Sequence, residues 1–439
     1  PLAGYLGYWR THMDKALELC PDCADIWQEL GMGLLANDDR DGARDAIAAA
    51  LLRAPQNPSL RRLRDALSDT AASFWRGQVL PDEAVAQLAQ QVTPDAAYDT
   101  NMLLRQRIVE VYPNALSETY VREVAFVHTR DAAQRWSEYW ISSDPEAESV
   151  SVQRVAVFKP DGTVKESFDL DAWDNDGGFN NMYFLTRTTQ VQIPQVEPGD
   201  VVSVEYTQSD FAPRNLFDSY FGDFWPFQDE TPVKLAMYGL AYPEGRVVHD
   251  NLADLTGAKV TRETGDGRQV LVALMTDVPA VVSEPGSPGP AELLAHVSVS
   301  TADDWNQLAN WYWSLVEDQY VISDQLRAKV NEITAGMTTD AQKVAAVQNY
   351  VVQNTRYVGL EFGIHGYKPY KTTECFTRKF GDCKDTASLM KAMLNVAGVE
   401  AHMVLLRTRD LGRILGGPPS LAFFNHAIAY VPSLDRYLD

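Results

Sequence analysis

The feature that most constrains the fold is the amphipathic pattern that begins at Cys383. Apolar residues follow it at helical spacing, namely Ala387, Met390, Met393, Leu394 and Ala397. Asp382 and Asp385 stand three residues apart, as in a capping box, and Gly398 comes where a glycine commonly ends a helix. The sequence therefore predicts a helix that has Cys383 at its first position.

A cysteine at the start of a helix is a candidate nucleophile. Unpaired backbone N–H groups and the helix dipole stabilise a thiolate there, and Lys384 adds a nearby positive charge. Asp382 and Asp385 oppose that ionisation, so an inert cysteine stays open on position alone. The chemistry then depends on whether a base reaches Cys383.

The residues after the predicted helix provide a candidate base on a hairpin. Residues 399–406 are typical of a buried strand, and residues 425–431 and 436–439 of two strands joined by a four-residue turn. A symmetric turn pairs Val431 with Arg436 and so sets the register of the whole hairpin.

This register places two polar residues on one face of the hairpin. Asp439 lies diagonally from His426, at about 7 to 8 Å between backbones, which polar side chains can span. The carboxylate would orient the imidazole, while the other ring nitrogen accepts the proton of Cys383. Either residue alone could be an ordinary strand residue, but the three residue types together predict a Cys-His-Asp site.

Three segments before and at the thiol form an ordered signature. They are Tyr350–Leu360, Gly366–Pro369 and Gly381–Asp385. In this order they resemble the bacterial transglutaminase-like superfamily, whose members share a papain-like thiol core. The resemblance covers roughly the last third of the chain. It implies that Cys383 is the nucleophile, His426 the general base and acid, and Asp439 the orienting carboxylate.

The resemblance also implies a class of reaction. Members attack a protein or peptide amide, form a thioester, and pass the acyl group to an amine or to water. A cysteine acyltransferase or amidohydrolase is therefore expected, and no cofactor or metal is expected for the chemical step. Two alternatives stay open, a catalytically idle scaffold or protein-binding module and a cysteine protease. Gln353 and Tyr357 are both candidates for the second donor of an oxyanion hole.

Residues 1–93 carry a different, helical pattern. The spacing resembles that of tetratricopeptide repeats at Trp27, Leu30, Gly31, Leu34, Ala43, Ile47, Ala50 and Pro55. Leu60, Leu63 and Leu67 indicate a further capping helix. Such repeats imply a protein or peptide partner, although a helical spacer is an equally open interpretation.

The four cysteines fall into different settings. Cys20 and Cys23 are spaced as in a redox or metal motif, but no second Cys/His pair is near in sequence, which argues against zinc, and a local bridge between the two stays open. Cys375, in a predicted loop, is interpreted as a small packing residue rather than a resolving thiol.

The remaining segments complete a multidomain α+β fold. Residues 97–283 contain short strands and turns that predict an antiparallel β-sandwich, similar to a family of unknown function that often precedes transglutaminase-like domains. The aromatic cluster over 220–227 is more typical of core packing or a domain contact than of a ligand loop. Residues 284–300 are predicted as a linker, and 301–439 as the thiol core, which is expected to continue beyond Asp439.

Charge and hydropathy limit the partners. A net charge of −22 in 439 residues argues against nucleic acid and against anionic membrane surfaces. No apolar run has the length of a membrane span, and no signal peptide is present in these residues. Family resemblance implies an extracytoplasmic bacterial location, either periplasmic or at the cell surface, and a signal peptide, anchor or further domain outside these residues stays open.

Overall fold

The computed structural model describes residues 2–37, 39–57, 60, 63–64, 67, 73–93, 97–175, 178–179, 181–212, 217, 219–282, 284–414 and 416–439. The chain divides into two compact units, Pro1–Val79 and Leu80–Asp439. Among the described residues, every helix is too short or too polar to span a membrane.

The first unit is helical, as the sequence predicts. Its helices are α1 (Leu2–Leu19), α2 (Ala24–Leu35) and α3 (Arg40–Arg53), and a disulfide joins Cys20 to Cys23 in the turn between α1 and α2. The α2 and α3 helices approach closely at Gly31, where a Cβ would lie 2.6 Å from Ile47 Cδ1. The repeat family itself stays a prediction. The predicted capping helix falls mostly outside the described residues, although Leu60 and Leu67 are buried in the same core.

The first helix of the second unit is α4 (Asp82–Gln90). The sequence assigns it to the helices of residues 1–93, but the structure packs Val85 against Leu103, Leu104 and Val124 of the large sheet. An ion pair of 2.8 Å between Asp82 and the buried Arg122 holds the same contact. Helical periodicity alone could not show which core this helix joins.

The strands and helices of the second unit follow in order along the chain. The strands are β1 (Thr100–Val111), β2 (Ser117–Val127), β3 (Glu138–Ser143), β4 (Glu148–Phe158), β5 (Val164–Lys165), β6 (Asp169–Asn175), β7 (Gly178–Phe179), β8 (Met182–Tyr183), β9 (Thr186–Gln192), β10 (Val201–Asp210), β11 (Gly222–Pro226), β12 (Val233–Pro243), β13 (His249–Asp250), β14 (Lys259–Gly265), β15 (Arg268–Val278), β16 (His296–Ser300), β17 (Arg356–Tyr357), β18 (Gly359–Leu360), β19 (Phe380–Gly381), β20 (His402–Leu406), β21 (His426–Val431) and β22 (Arg436–Leu438). The helices are α5 (Arg130–Arg135), α6 (Pro290–Leu293), α7 (Trp305–Val316), α8 (Asp324–Ile333), α9 (Asp340–Asn354), α10 (Thr372–Arg378) and α11 (Cys383–Val396).

Residues 97–283 build one large sheet and smaller sheets that pack on it. The large sheet has eight strands in the order β14-β15-β12-β1-β2-β10-β4-β5. It differs from the predicted antiparallel arrangement at one place, because β1 and β12 are parallel. A parallel pair needs a long connection, and the strands from β2 to β11 supply it. The sheet β3-β9-β6 shares a core with β4 and β10, through residues such as Ile141, Val155 and Val204.

Residues 284–300 are not a simple linker. They contain α6 and the strand β16, which pairs with β11 and β13. The Pro and Gly residues that suggest a linker precede this strand, whose alternating Val297 and Val299 are buried in the core of the large sheet. The predicted aromatic cluster also packs in this region, with Phe221 and Phe227 buried.

In the last part of the unit, helices and a small sheet pack against α11. Helices α8 and α9 and the antiparallel sheet β20-β21-β22 share one hydrophobic core with α11. Val347, Met393, Ala429 and Val431 share this core. The predicted helix, strand and hairpin are therefore confirmed, and α11 holds the half-buried Cys383 at its first position, next to the buried Asp382, Lys384 and Asp385.

Candidate active site

Cys383 is the first residue of α11, as the sequence predicts. Asp382 caps the helix, because the Asp385 N–H donates to Asp382 Oδ1 at 3.0 Å and the Asp382 N–H donates to Asp385 Oδ2 at 3.3 Å. Gly398 has a φ of +77° just past the helix end. These local bonds fix the start of the helix at the thiol.

Lys384 is buried and paired with carboxylates rather than turned to the thiol. Its Nζ donates to Glu361 Oε1 at 2.9 Å and also bonds Asp382. Burial opposes the charge, yet Asp382 and Glu361 raise the pKa of Lys384. The expectation that Lys384 assists the thiolate is therefore weakened, since both carboxylates balance its charge.

Asp385 completes this buried charge network. The Tyr370 N–H donates to its Oδ1 at 2.8 Å, and Arg378 pairs with its Oδ2 at 3.1 Å. Burial, followed by the charge of Asp382, raises the pKa of Asp385 to about 6. The first turn of α11 is thus fixed from several sides.

His426 and Asp439 meet across the hairpin. The strands pair Tyr430 with Tyr437 and Val431 with Arg436, which is the predicted register. His426 Nε2 lies 3.0 Å from Asp439 Oδ1. The contact leaves Nδ1 as the ring nitrogen that is free to act on another group.

That other group is Cys383. The pKa of His426 is raised to about 9, and a hydrogen bond with Cys383 is the largest cause. Burial lowers this pKa, whereas the hydrogen bond with Asp439 raises it further. An imidazole with this pKa holds its proton at neutral pH. The structure therefore brings together the three residues that the sequence selects.

Tyr357 is a further hydrogen-bonding neighbour of Cys383. Strand β17 pairs in parallel with β19, so that Tyr357 lies opposite Gly381, and the Val358 N–H donates to the Gly381 carbonyl at 3.1 Å. Burial raises the pKa of Tyr357, and the side chain and backbone N–H of Cys383 both hydrogen-bond its hydroxyl. Gln353, the other candidate donor, is exposed near the end of α9.

Tyr312 is a site neighbour that the sequence does not single out. It lies on the buried face of α7, and its hydroxyl donates to Met403 Sδ at 3.4 Å. Burial is the main cause that raises the pKa of Tyr312, with smaller contributions that include Cys383. Its helical spacing indicates only a core position, so no sequence signal separates it from other core residues.

A hairpin from the preceding region also contacts the site. Strand β8 pairs in parallel with β18, with Met182 opposite Gly359 and Tyr183 opposite Leu360. A Cβ at residue 359 would lie 2.5 Å from Met182 Sδ and 3.3 Å from Asp382 Cβ. Met182 and the capping residue Asp382 therefore both lie close to the backbone of Gly359, where there is no side chain.

A cavity of about 630 Å³ lies next to this strand pair. Its lining includes Asp144, Glu146, Glu148, Phe184, Glu361 and Tyr367. Glu361 also binds Lys384, so the cavity adjoins the first turn of α11.

Cys383 is the accessible thiol of the chain. Cys375 is buried, and burial raises the pKa of its thiol to about 12. Cys20 and Cys23 form the disulfide. The prediction that Cys375 is a packing residue agrees with its place in the core around α11.

Comparison with known proteins gives two family matches. Residues 327–432 match the family model "Transglutaminase-like superfamily". Residues 113–282 match DUF3857, described as "Domain of Unknown Function with solved-structure structure". Among curated proteins, no sequence matches the chain.

A solved structure shares the fold over most of the chain. A "putative protease" from Parabacteroides distasonis is 16% identical, with a TM-score of 0.64, and the match covers 78% of this chain and 67% of that one. A "putative cysteine protease" from Cytophaga hutchinsonii is 12% identical over 69% of this chain and 78% of that one, but its TM-score of 0.21 supports no conclusion. The chain therefore contains a transglutaminase-like domain that a DUF3857 domain precedes.

Proposed function

We propose that the chain is a cysteine-dependent acyltransferase or hydrolase that acts on protein or peptide amides. The observation that carries the proposal is the position of His426 between Cys383, which raises its pKa, and Asp439, at 3.0 Å. The match of residues 327–432 to the transglutaminase-like superfamily supports the same class of chemistry.

In the first half of the reaction, Cys383 Sγ attacks the amide carbonyl carbon as a thiolate. The C–N bond then breaks, and the proton on His426 passes to the departing amine, which leaves a thioester. Asp439 keeps the imidazole oriented and stabilises its charged form. Proton balance is maintained, because the proton that left the thiol is the one the amine receives.

In the second half, an amine or a water molecule attacks the thioester carbonyl. His426 accepts the proton of this nucleophile, and the C–S bond breaks to regenerate the thiolate. An amine acceptor gives a new amide, whereas water gives a carboxylate. The proposal covers both outcomes.

We further propose that Tyr357 and the Cys383 N–H bind the oxyanion. Support comes from the hydrogen bonds between Tyr357 and Cys383, and from the raised pKa of Tyr357, which keeps its hydroxyl a donor. Removal of one oxyanion donor typically lowers kcat by about 10²- to 10³-fold. Tyr357→Phe should therefore lower kcat by about this factor with little change in KM.

The test uses a glutamine-rich protein such as casein together with a fluorescent primary amine. Amine incorporation, ammonia release and new amino termini are measured in parallel, which separates crosslinking, deamidation and proteolysis. Activity should be lost in Cys383→Ala and retained in the matched control Cys375→Ala. Full activity in Cys383→Ala would contradict the proposal.

Proteolysis is the second candidate reaction. It is favoured by the fold shared with the "putative protease" from Parabacteroides distasonis. The appearance of new amino termini without amine incorporation would select it. A catalytically idle core would instead show no product and no selective alkylation of Cys383 at neutral pH.

A further inference from the structure

Four carboxylates line the cavity of about 630 Å³. Three come from the connection between β3 and β4 and the start of β4, and one from the segment that follows β18, namely Asp144, Glu146, Glu148 and Glu361. The two sides approach closely, since a Cβ at Gly363 would lie 3.5 Å from Glu146 Oε2. Both the DUF3857 region and the transglutaminase-like domain therefore build this cavity.

The negative charge of the cavity is only partly compensated. Among the described residues that line it, none is a lysine, arginine or histidine. Lys384 pairs with Glu361 at 2.9 Å, but within the part of the chain that the structure describes Asp144 and Glu146 form no ion pair. Backbone groups hold the connection, because the Glu146 N–H donates to Asp144 Oδ1 and the Asp144 N–H donates to Glu148 Oε2, each at 2.9 Å. Unbalanced carboxylates thus occupy fixed positions.

Ser143 is a second feature of the cavity, independent of its charge. It lies at the end of β3, lines the cavity and is 5% exposed. Over the described ranges of the chain, its buried Oγ has no hydrogen-bond partner. Buried polar atoms in folded proteins nearly always have a partner, and a serine oxygen can accept a hydrogen bond from an N–H group. Ser143 therefore indicates a place for a donor group of a ligand.

A cationic side chain fits both features. Phe184, Ile364 and Tyr367 add apolar surface to the lining. Lysine and arginine lay an apolar stem along such surface and carry N–H donors and a positive charge at its end. A metal ion fits less well, because no group of three acidic, histidine or cysteine side chains among the described residues could hold one.

We propose that this acidic cavity binds the cationic side chain of an arginine or lysine in a peptide. The cation is bound as a charge and is not the amine that attacks the thioester, because a protonated amine has no lone pair. The inference rests on the proposed function for the peptide nature of the ligand, and it adds a positive charge to the substrate class. Asp144, Glu146 and Ser143 act as specificity-determining residues and take no part in the bond-making steps.

The first test measures binding and not catalysis. The protein is the full chain with Cys383→Ala, so that the probe is not consumed. The probe is a fluorescein-labelled glycine- and serine-rich peptide with one arginine, and its twin has citrulline, which is neutral and nearly the same shape. Fluorescence anisotropy should give a Kd about tenfold lower for the arginine peptide, as expected for one charge-assisted hydrogen bond.

Glu146→Gln, made in the same chain, should lower this preference by about two- to fivefold, since Glu146 is exposed and such pairs contribute less. Glu138→Gln is the matched control, because Glu138 is exposed at the other end of β3, lies outside the cavity lining and gives the same change in net charge. It should keep the full preference. Equal binding of the two peptides, or an equal loss of preference in Glu138→Gln, would overturn the inference.

Ser143→Ala separates a binding role from a structural one. It should weaken binding of the arginine peptide by about tenfold, the value for a hydrogen bond to a charged group. Because its Oγ has no partner in the described part of the chain, the substitution should not lower the midpoint of urea unfolding. An unchanged Kd with a lowered midpoint would show that Ser143 only packs the end of β3, and would overturn its place in the site.

Failure of this inference and failure of the proposed function are distinguishable. If the arginine peptide is preferred but wild-type Cys383 forms no product with any amide, the cysteine chemistry fails and the cation site stands. If wild-type Cys383 forms product but the two peptides bind equally, the chemistry stands and the cation site is overturned.

Discussion

The protonation of His426 depends on two side chains that lie on different elements. Its hydrogen bond with Cys383 is the larger influence, and Asp439 adds to it, so that the pKa reaches about 9 despite burial. An unfolded histidine titrates near 6.5. Because the folded pKa is the higher one, protonation of His426 stabilises the fold fully below about pH 6.5. This contribution is lost as the pH rises through about 9.

The titration of His426 should therefore respond differently to its two partners. We expect Cys383→Ala to lower the pKa of His426 more than Asp439→Asn does, since the thiol contact is the larger cause. The imidazole Cε1–H resonance, followed by NMR from pH 5 to pH 10, measures both changes. His402, which is exposed on β20, provides a reference signal that neither variant should move. A His426 pKa that stays at about 9 in Cys383→Ala would show that the two side chains do not interact.

Among the elements, those set by local patterns could be predicted from the sequence. The start of α11 follows from Asp382, Cys383 and Asp385, which are neighbours in the chain and cap the helix among themselves. The hairpin that joins His426 to Asp439 follows from a short symmetric turn. Both features depend only on residues that are close in sequence, so they can be predicted without the rest of the molecule.

Other features depend on partners that are distant in sequence. The sequence alone suggests that the charge of Lys384 is available to the thiol. In the structure, Glu361 from another segment binds Lys384. The pairing of Met182 with Gly359 joins two very short strands, neither of which has an alternating pattern. Periodicity describes one face of one element, so it carries no information about which distant segment covers that face.

The contact of β8 with β18 leads to a prediction at the level of elements. Gly359→Ala should lower activity, because its Cβ would lie 2.5 Å from Met182 Sδ and 3.3 Å from the cap residue Asp382. The flexible end of the Met182 side chain can shift, so the cost should lie near the lower end of the about 1 to 3 kcal/mol typical of overpacking. Met182→Ala shortens the opposing side chain, so we expect the double variant Gly359→Ala/Met182→Ala to recover activity. The measurements are kcat/KM and the midpoint of urea unfolding.

Gly366→Ala is the control for this contact, because a Cβ there meets no atom within 4 Å. It should leave both quantities near the wild-type values. If Gly359→Ala is as active as the wild type, or if the second substitution restores nothing, then the hairpin does not press on the start of α11.

At the scale of the whole molecule, the domain division suggested by the sequence differs from the compact units. The sequence separates residues 97–283 from 301–439 at a Pro- and Gly-rich stretch, but both lie in the unit Leu80–Asp439. Strand β16 pairs with β11, and the Leu421 N–H donates to the Tyr220 hydroxyl at 2.9 Å. Glu292 and Arg413 add an ion pair of 2.9 Å. The DUF3857 region and the transglutaminase-like domain therefore share hydrogen bonds at Tyr220, and the segment between them is bonded to both, which composition could not reveal.

The two compact units lead to a prediction about unfolding. Each unit has its own hydrophobic core, so calorimetry of the intact chain should show two transitions. The Cys20–Cys23 disulfide lies in the smaller unit and closes a loop of four residues, which by loop entropy contributes about 2 kcal/mol. For a unit of this size, its reduction should lower one Tm by about 10 °C and leave the other unchanged.

Dithiothreitol provides the reduction, and Cys383 and Cys375 do not complicate it because both are free thiols. The variant Cys20→Ser/Cys23→Ser should show the lowered Tm without reductant and no further response to it. Activity of Cys383 should persist in dithiothreitol, since the disulfide lies outside the unit that carries the site. A single cooperative transition, or a fall in the Tm of the larger unit on reduction, would contradict the prediction that the two units unfold independently.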